Sequence, residues 1–554
     1  MNEWNGARIS PVFVLLHGNS LYPSRDSGVV TGNIYPPLAT LAYLPCALLR
    51  NPSRIMELGS LLACIYYFIP LVALGYLAIR CWEVTPMHAA LVVAAAALLT
   101  DFNTALCSTA YWAHADAPGF ALAGLALCLV LFTTEGNRLA WATAAGGLAA
   151  GAVLAKQNFI GVWFALFFCV LPCGRRVAAR FAAGAALVAA VFGTILSFTR
   201  SWSSFLFNCI YIPSHHPLIL KHSIELFGSG WAGGVAQKLQ AIIQAFLEIA
   251  PTWYPWLAVG AWILWWTRRA APGSPTSRLY VPIWVFAAQL PISLLAYRKV
   301  GGDVNNLTDS LYFLVFAICA LALAAAANRA RSAGQHAILT ILVGILIVCN
   351  APRLLFLIYD SKQSDPNAPM MNFLRQHPRQ VYLPWNPLLT GLSDGVDYHF
   401  EYGVFDRALA GAPLAPDVYW AHLPSKIRYV AARRVLLDAN YMKFLNSSRN
   451  FVEPIVAGGD HSNAGTPQSP RLGAVWESLK YFLSSQQANS GIGAKDLEAS
   501  RALIRNPPQS ANSMFLSYLP LLREYPSPAG LEEWKFYVVP QSPKAADDEL
   551  NLMR

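Results

Sequence analysis

The sequence predicts a polytopic α-helical membrane protein with a C-terminal soluble α/β domain. Three observations carry that prediction. Only 13% of the 554 residues are charged and 55% are hydrophobic, where a soluble chain carries about a quarter charged. The deficit is uneven: helix-length apolar stretches follow one another to about Asp360, and beyond it the composition is that of an ordinary globular protein. Finally, the arginines of the short loops fall on one side when the apolar stretches alternate across a bilayer.

Three parts follow: an outer loop with an interfacial helix over 1–54, a transmembrane helical domain over 55–358, and a soluble domain over 359–554. The proline-rich stretch Ile34 to Leu49 reads as the interfacial helix, because counting it as a span would reverse every later loop and spoil the charge pattern. About ten spans are visible. Six run over Ile55–Ile79, Met87–Leu99, Pro118–Phe132, Leu139–Ala155, Ile160–Leu171 and Phe181–Phe198, and four over Trp253–Trp266, Leu279–Leu295, Leu307–Ala326 and Ala337–Ile358. Several fall short of the roughly 20 residues that cross a bilayer, so flanking residues extend them.

Arg80, Arg138, Arg175, Arg176, Arg180, Arg268, Arg269, Arg278, Arg329 and Arg331 then mark the cytoplasmic side. Both termini and the loops around Asp116, Lys156, 200–250 and 298–306 lie opposite. A polar Met1–Arg8 on the outer side implies a further N-terminal transmembrane helix in the native chain. In the long outer loop, Val235, Leu239, Ile242, Ile243, Phe246 and Ile249 recur at helical spacing. That helix lies in the membrane interface or packs on the soluble domain.

The net charge of +10 is topology signal, and no basic stripe with interleaved aromatics suggests nucleic acid as a partner. All ten cysteines lie between Cys46 and Cys349, mostly in apolar segments, without ligand spacing, which predicts neither a disulfide framework nor a metal site. In the C-terminal part, Gln380–Trp385 and Phe536–Pro540 read as strands, Asp397–Gly411 as a helix and Gly458–Pro470 as a loop. His399 and Asp394 there read as surface or capping residues.

The chemistry-bearing residues collect on the outer side. They are Glu3, His114 with Asp116, Lys156, and the group Arg298, Lys299, Asp303, Asn305 and Asn306. Ionisable groups at membrane depth are costly and often mark a substrate path. Carboxylates can take a proton from a hydroxyl. Lysine and arginine can hold a phosphate leaving group, and apolar helices can seat a lipid tail. Each residue also has a plainer reading. Asp116 can cap the helix that begins beside Pro118, Lys156 can snorkel, Glu3 can be a solvated residue, and the Arg298–Lys299 pair can meet anionic headgroups. His215 and His216 read as loop residues.

The arrangement resembles the GT-C superfamily of membrane glycosyltransferases, which includes protein O-mannosyltransferases and the lipid A aminoarabinose transferase. An acid early in the first outer loop (Glu3), Gly18 to Tyr22, then Tyr35, Pro36, Pro37 and Leu38 stand in the family's order. Asp116 matches a second acid at a helix start, and Lys156 a lysine at a helix end. The resemblance implies inverting transfer of a sugar from a polyprenyl-phosphate donor to an envelope lipid, glycan or protein acceptor, at the periplasmic face of the bacterial inner membrane. Glu3 and Asp116 would be catalytic. Lys156, Arg298 and Lys299 would hold the donor phosphate, and His114, Tyr22, Tyr35, Asn305 and Asn306 would contact substrate. Two departures stand out: the family's first helix is missing, and Asn2 replaces an acid that many members carry beside the first, so no cofactor or metal is expected. A transporter or flippase of a lipid-linked sugar, or a non-catalytic membrane scaffold, are the competing readings.

Overall fold

A computed structural model describes residues 3–133, 138–218, 234–249, 278–299, 304–327 and most of 365–433, then 523–525 and 534–538 with a few single positions. The described chain is mostly helical. Among the described residues, five helices are long and apolar enough to cross a membrane, or six if one bent pair counts as a single span.

Helix α1 is Glu3–Leu16 and α2 is Pro52–Trp82. Asn51 starts α2 by accepting a hydrogen bond from the Arg54 amide at 3.0 Å, with Pro52 in the first turn. Glu83 ends it in the left-handed region at φ 57°. Thr85 caps α3 (Pro86–Phe102) and Asn103 caps α4 (Thr104–Tyr111). The two helices meet at 109°, because the Asn103 side chain begins a new helix where a straight span would continue. Next come α5 (Asp116–Leu131), α6 (Arg138–Ala155), α7 (Ile160–Val170), α8 (Arg175–Phe198), α9 (234–249), α10 (Tyr280–Tyr297) and α11 (Thr308–Ala327).

Helices coincide with eight of the ten stretches expected to span, including the five or six that are long and apolar enough to do so; 253–266 and 337–358 fall almost wholly outside the described residues. The arginine end is tied by Arg278, which donates to the carbonyls of Leu131 and Thr133, and by Trp82 against Phe132 with ring centres 4.5 Å apart. At the core, Phe120 stacks on Tyr312 at 4.3 Å and Tyr67 meets Tyr312 edge-on at 4.9 Å. Helices α6 and α8 approach backbone to backbone at Gly146 and Gly184. A Cβ on either would stand 1.9 Å from a carbonyl oxygen of the other helix, so only glycine allows this distance.

One stretch departs from the sequence reading, and another falls on one of its two alternatives. The 1–54 segment is more than a loop with one interfacial helix. Glu3–Leu16 is helical because Ile9, Val12 and Phe13 share a face, buried with Met56, Ala113 and Leu388. The expected interfacial helix is two short turns, Leu38–Leu41 and Leu44–Leu48, the second carrying Pro45 at its start. Helix α9 lays Ala241, Ala245 and Ile249 inward, Ala245 and Ile249 joining the bundle core, and exposes Val235, Leu239, Ile243 and Leu247. It therefore packs on the bundle with a free apolar edge, as an interfacial helix would.

Beyond residue 365 come α12 (Ala368–Gln376), α13 (Pro387–Asp394), α14 (Glu401–Leu409) and α15 (Pro416–Ala421). With them is a four-stranded sheet in the order β1 (Val381–Tyr382), β2 (Tyr429–Arg433), β4 (Trp534–Val538), β3 (Arg523–Tyr525). Strands β1 and β2 are parallel, and the other two pairings are antiparallel. The expected strands and helix are thus present, and 458–470 lies outside the described residues. Asp394 accepts from the Tyr398 hydroxyl at 2.9 Å and the Arg379 amide at 3.2 Å, a local structural role. His399 is fully buried instead of on the surface. Its Nδ1 accepts from the Val30 amide at 3.0 Å, and burial with His422 nearby pushes its pKa down to about 3, so the ring is neutral.

Candidate active site

The chain alternates so that Asp116, Lys156, Arg298 and Asn305 all reach the bundle end opposite Arg278. Asp116 opens α5, yet no side-chain capping bond forms there. Its carboxylate is fully buried and pairs with the Lys156 ammonium and, at 2.6 Å, with His114 Nδ1. The capping reading is therefore displaced by a polar network. Lys156, 2% exposed, also donates to both oxygens of Asp309, at 3.2 and 3.1 Å. Its side chain turns into the protein, away from the interface where a snorkelling lysine would end. Asn158 donates to Asp309 at 3.2 Å, and Asn305 to His114 Nε2 at 3.0 Å. His114 Nδ1 thus faces the Asp116 carboxylate and, at 3.3 Å, the Asp116 amide, while Nε2 faces Asn305. Burial lowers the His114 pKa, so the ring is neutral.

Tyr43 braces the His114 loop, accepting from its amide at 2.9 Å and donating to its carbonyl at 2.8 Å. From α1, Asn5 accepts from the Ala113 amide at 3.0 Å. The start of α1, and so the backbone of Glu3, lies near this loop; the Glu3 side chain is outside the description.

In front of the network is a cleft of about 110 Å³. Lys156, Asn305 and Asn306 form one wall, and Arg8 and Tyr35 another. Lys299 and His216 line the α10 side, and Tyr402 and Asp406 of α14 face them. The Arg8 guanidinium lies 5.0 Å from the centre of the Tyr35 ring. Burial, with Lys238 nearby, draws the Lys299 pKa down to about 8; its ammonium is still mostly charged at neutral pH and donates to the Pro213 carbonyl at 2.6 Å. His216, pushed down to about 4 by burial and then Lys299, is neutral. Burial raises Asp406 to about 7, with Arg8 acting against it. At neutral pH the cleft is therefore positive, with hydroxyls and amides around the cations, which suits a phosphate carrying a polyhydroxyl group.

Glycines hold α14 against the N-terminal loop. Gly32 has φ +67°, and a Cβ on Gly403 would stand 2.5 Å from its Cα. Beside them the Phe400 amide donates to the Val30 carbonyl at 2.8 Å. This close approach carries Asp406 into the cleft wall.

Several sequence candidates sit elsewhere. Asp116 stands behind Lys156 and His114 and does not line the cleft. Lys156 is committed to two carboxylates, which leaves its ammonium poorly placed as a phosphate ligand. Arg298 pairs with Glu248 of α9 at 2.7 Å. Tyr22 is buried and supports Tyr35 by donating to its carbonyl at 3.0 Å. Asp303 is outside the described residues, among which no group of three metal-ligating side chains occurs. Sequence reasoning missed Asp309, Arg8 and Asp406. Asp309 carried a signal, an acid two residues into an apolar helix; Arg8 and Asp406 carried none, because their neighbours come from distant segments. No family model, curated protein or solved structure matches this chain.

Proposed function

We propose that the protein is a polytopic membrane glycosyltransferase that moves a sugar from a polyprenyl-phosphate donor to an envelope lipid, glycan or protein acceptor. In this reading the chain crosses the bacterial inner membrane about ten times, and its C-terminal segment folds as a soluble α/β domain over the periplasmic face. The observation that carries the reading is the cleft. It joins two cations, Arg8 and Lys299, to Asn305, Asn306, Tyr35 and a carboxylate, at the ends of apolar helices and under the C-terminal segment. A lipid tail would lie along the helices, the cations would take charge from the leaving phosphate, and the amides and hydroxyls would orient the sugar. The buried Asp116–Lys156–Asp309 network serves as a fixed floor that positions His114 and Asn305.

The test is incubation of the purified protein, in lipid, with a panel of polyprenyl-phosphate sugars and envelope acceptors. Transfer with release of polyprenyl phosphate supports the reading. Movement of intact donor between vesicle leaflets without cleavage would favour a flippase instead, and no reaction with any donor would leave glycosyl transfer unsupported.

A further inference from the structure

We infer that Asp406, delivered by α14 of the C-terminal segment, is the general base that takes the proton from the acceptor hydroxyl. This assignment rests on the glycosyl-transfer reading and concerns the same cleft. Of the two carboxylates first expected to be catalytic, the Glu3 side chain lies outside the description and Asp116 is sealed behind Lys156 and His114; Asp406, which was not among them, lines the cleft directly. It is 3% exposed, and the nearest ring nitrogen, His216 Nε2, stands 3.8 Å from its Oδ1, beyond hydrogen-bond reach. The charged and titratable groups lining the cleft with it are Arg8 from α1, Lys156 at the end of α6, His216 and Lys299 from the α10 side, and the Tyr35 and Tyr402 hydroxyls. Its neighbour Arg407 points away, donating to the Ser24 and Arg25 carbonyls over the Phe207 ring, so the guanidinium that acts on Asp406 is that of Arg8. A carboxyl whose burial holds it near neutrality is half ionised where it is most useful as a base.

The step balances. The Asp406 carboxylate takes the hydroxyl proton as the acceptor oxygen bonds to the anomeric carbon. The bond from that carbon to the phosphate oxygen breaks, and its electron pair leaves on polyprenyl phosphate beside Arg8 and Lys299. Attack opposite the leaving group inverts the anomeric centre, and the protonated Asp406 returns its proton to water.

The experiment uses the full chain in lipid, the donor panel for turnover, and polyprenyl phosphate alone for binding. Asp406→Asn is expected to lower transfer by about 100-fold or more while binding of polyprenyl phosphate stays within about twofold, and Asp406→Glu to restore part of the rate. The wild-type rate should rise with pH through about 7. Transfer by Asp406→Asn within about threefold of wild type would overturn the assignment, most clearly if Glu3→Gln abolished it. Should Asp406→Asn fail to fold, a wild-type rate unchanged from about pH 5.5 to 8.5 would overturn it equally. A wild-type protein inactive with every donor would instead remove the glycosyl-transfer reading, and this assignment with it.

Discussion

Replacing Lys156 by methionine isolates the most consequential interaction at the bundle end. One ammonium, 2% exposed, serves two carboxylates that are each fully buried, Asp116 and Asp309. Removing it leaves two acids facing each other in a medium that solvates charge poorly. Breaking a buried pair in this way costs about 3–5 kcal/mol. The loss should therefore greatly exceed that of Asp309→Asn, which keeps a one-to-one pair and costs about 1 kcal/mol. The triple variant Lys156→Met, Asp116→Asn, Asp309→Asn removes all three charges and should regain most of the loss, since neutral replacement of a whole buried network is often tolerated. Thermal unfolding of the purified variants in detergent, followed by size-exclusion chromatography, orders the three. A Lys156→Met midpoint equal to wild type would refute the reasoning, because a lysine reaching out to the interface would leave the acids untouched.

Two further outcomes follow. Gly146→Ala should part α6 from α8 and cost about 1–3 kcal/mol, since its Cβ would meet the Phe181 carbonyl oxygen at 1.9 Å. Gly147→Ala, with nothing nearer than 3.6 Å, should leave the unfolding midpoint near wild type. Glu401 is fully buried, accepts from the Tyr382 and Tyr419 hydroxyls, and is raised by burial from 4.5 to about 7. Folding therefore takes up a proton between those values, and the stability it supports is full below about 4.5 and lost as pH rises through about 7. Glu401→Gln should stabilise the protein by up to about 3 kcal/mol at pH 8 and make no difference at pH 4, as read by unfolding at the two pH values.

The apolar helices were legible because apolar periodicity is a local signal: eight of the expected stretches coincide with helices, and five or six of these are long and apolar enough to cross a membrane. Helix α1 was not, because its polar first turn hides a buried face at Ile9, Val12 and Phe13 whose partners, from Tyr43 to Leu388, lie in other segments of the chain. The 109° bend between α3 and α4 follows from a single capping residue, Asn103, inside an otherwise apolar run. At the site, sequence order placed Asp116, Lys156, Asn305 and Lys299 on one end of the bundle, which needs only counted helices. It could not show that Lys156 faces inward to Asp309, or that Arg298 turns to Glu248, since side-chain direction depends on neighbouring helices. Asp406 was invisible because it enters the cleft only through the contact of Gly32 with Gly403, residues 371 positions apart.

The most direct measurement is photo-crosslinking with a polyprenyl-phosphate analogue carrying a small photoreactive group beside the phosphate, in native membranes, followed by peptide mapping. Labelled peptides should contain Arg8 or Tyr35, residues 296–306, and residues 400–406, all competed away by unlabelled polyprenyl phosphate. Labelling confined to the Arg278 end of the bundle, around 131–138, would contradict this placement.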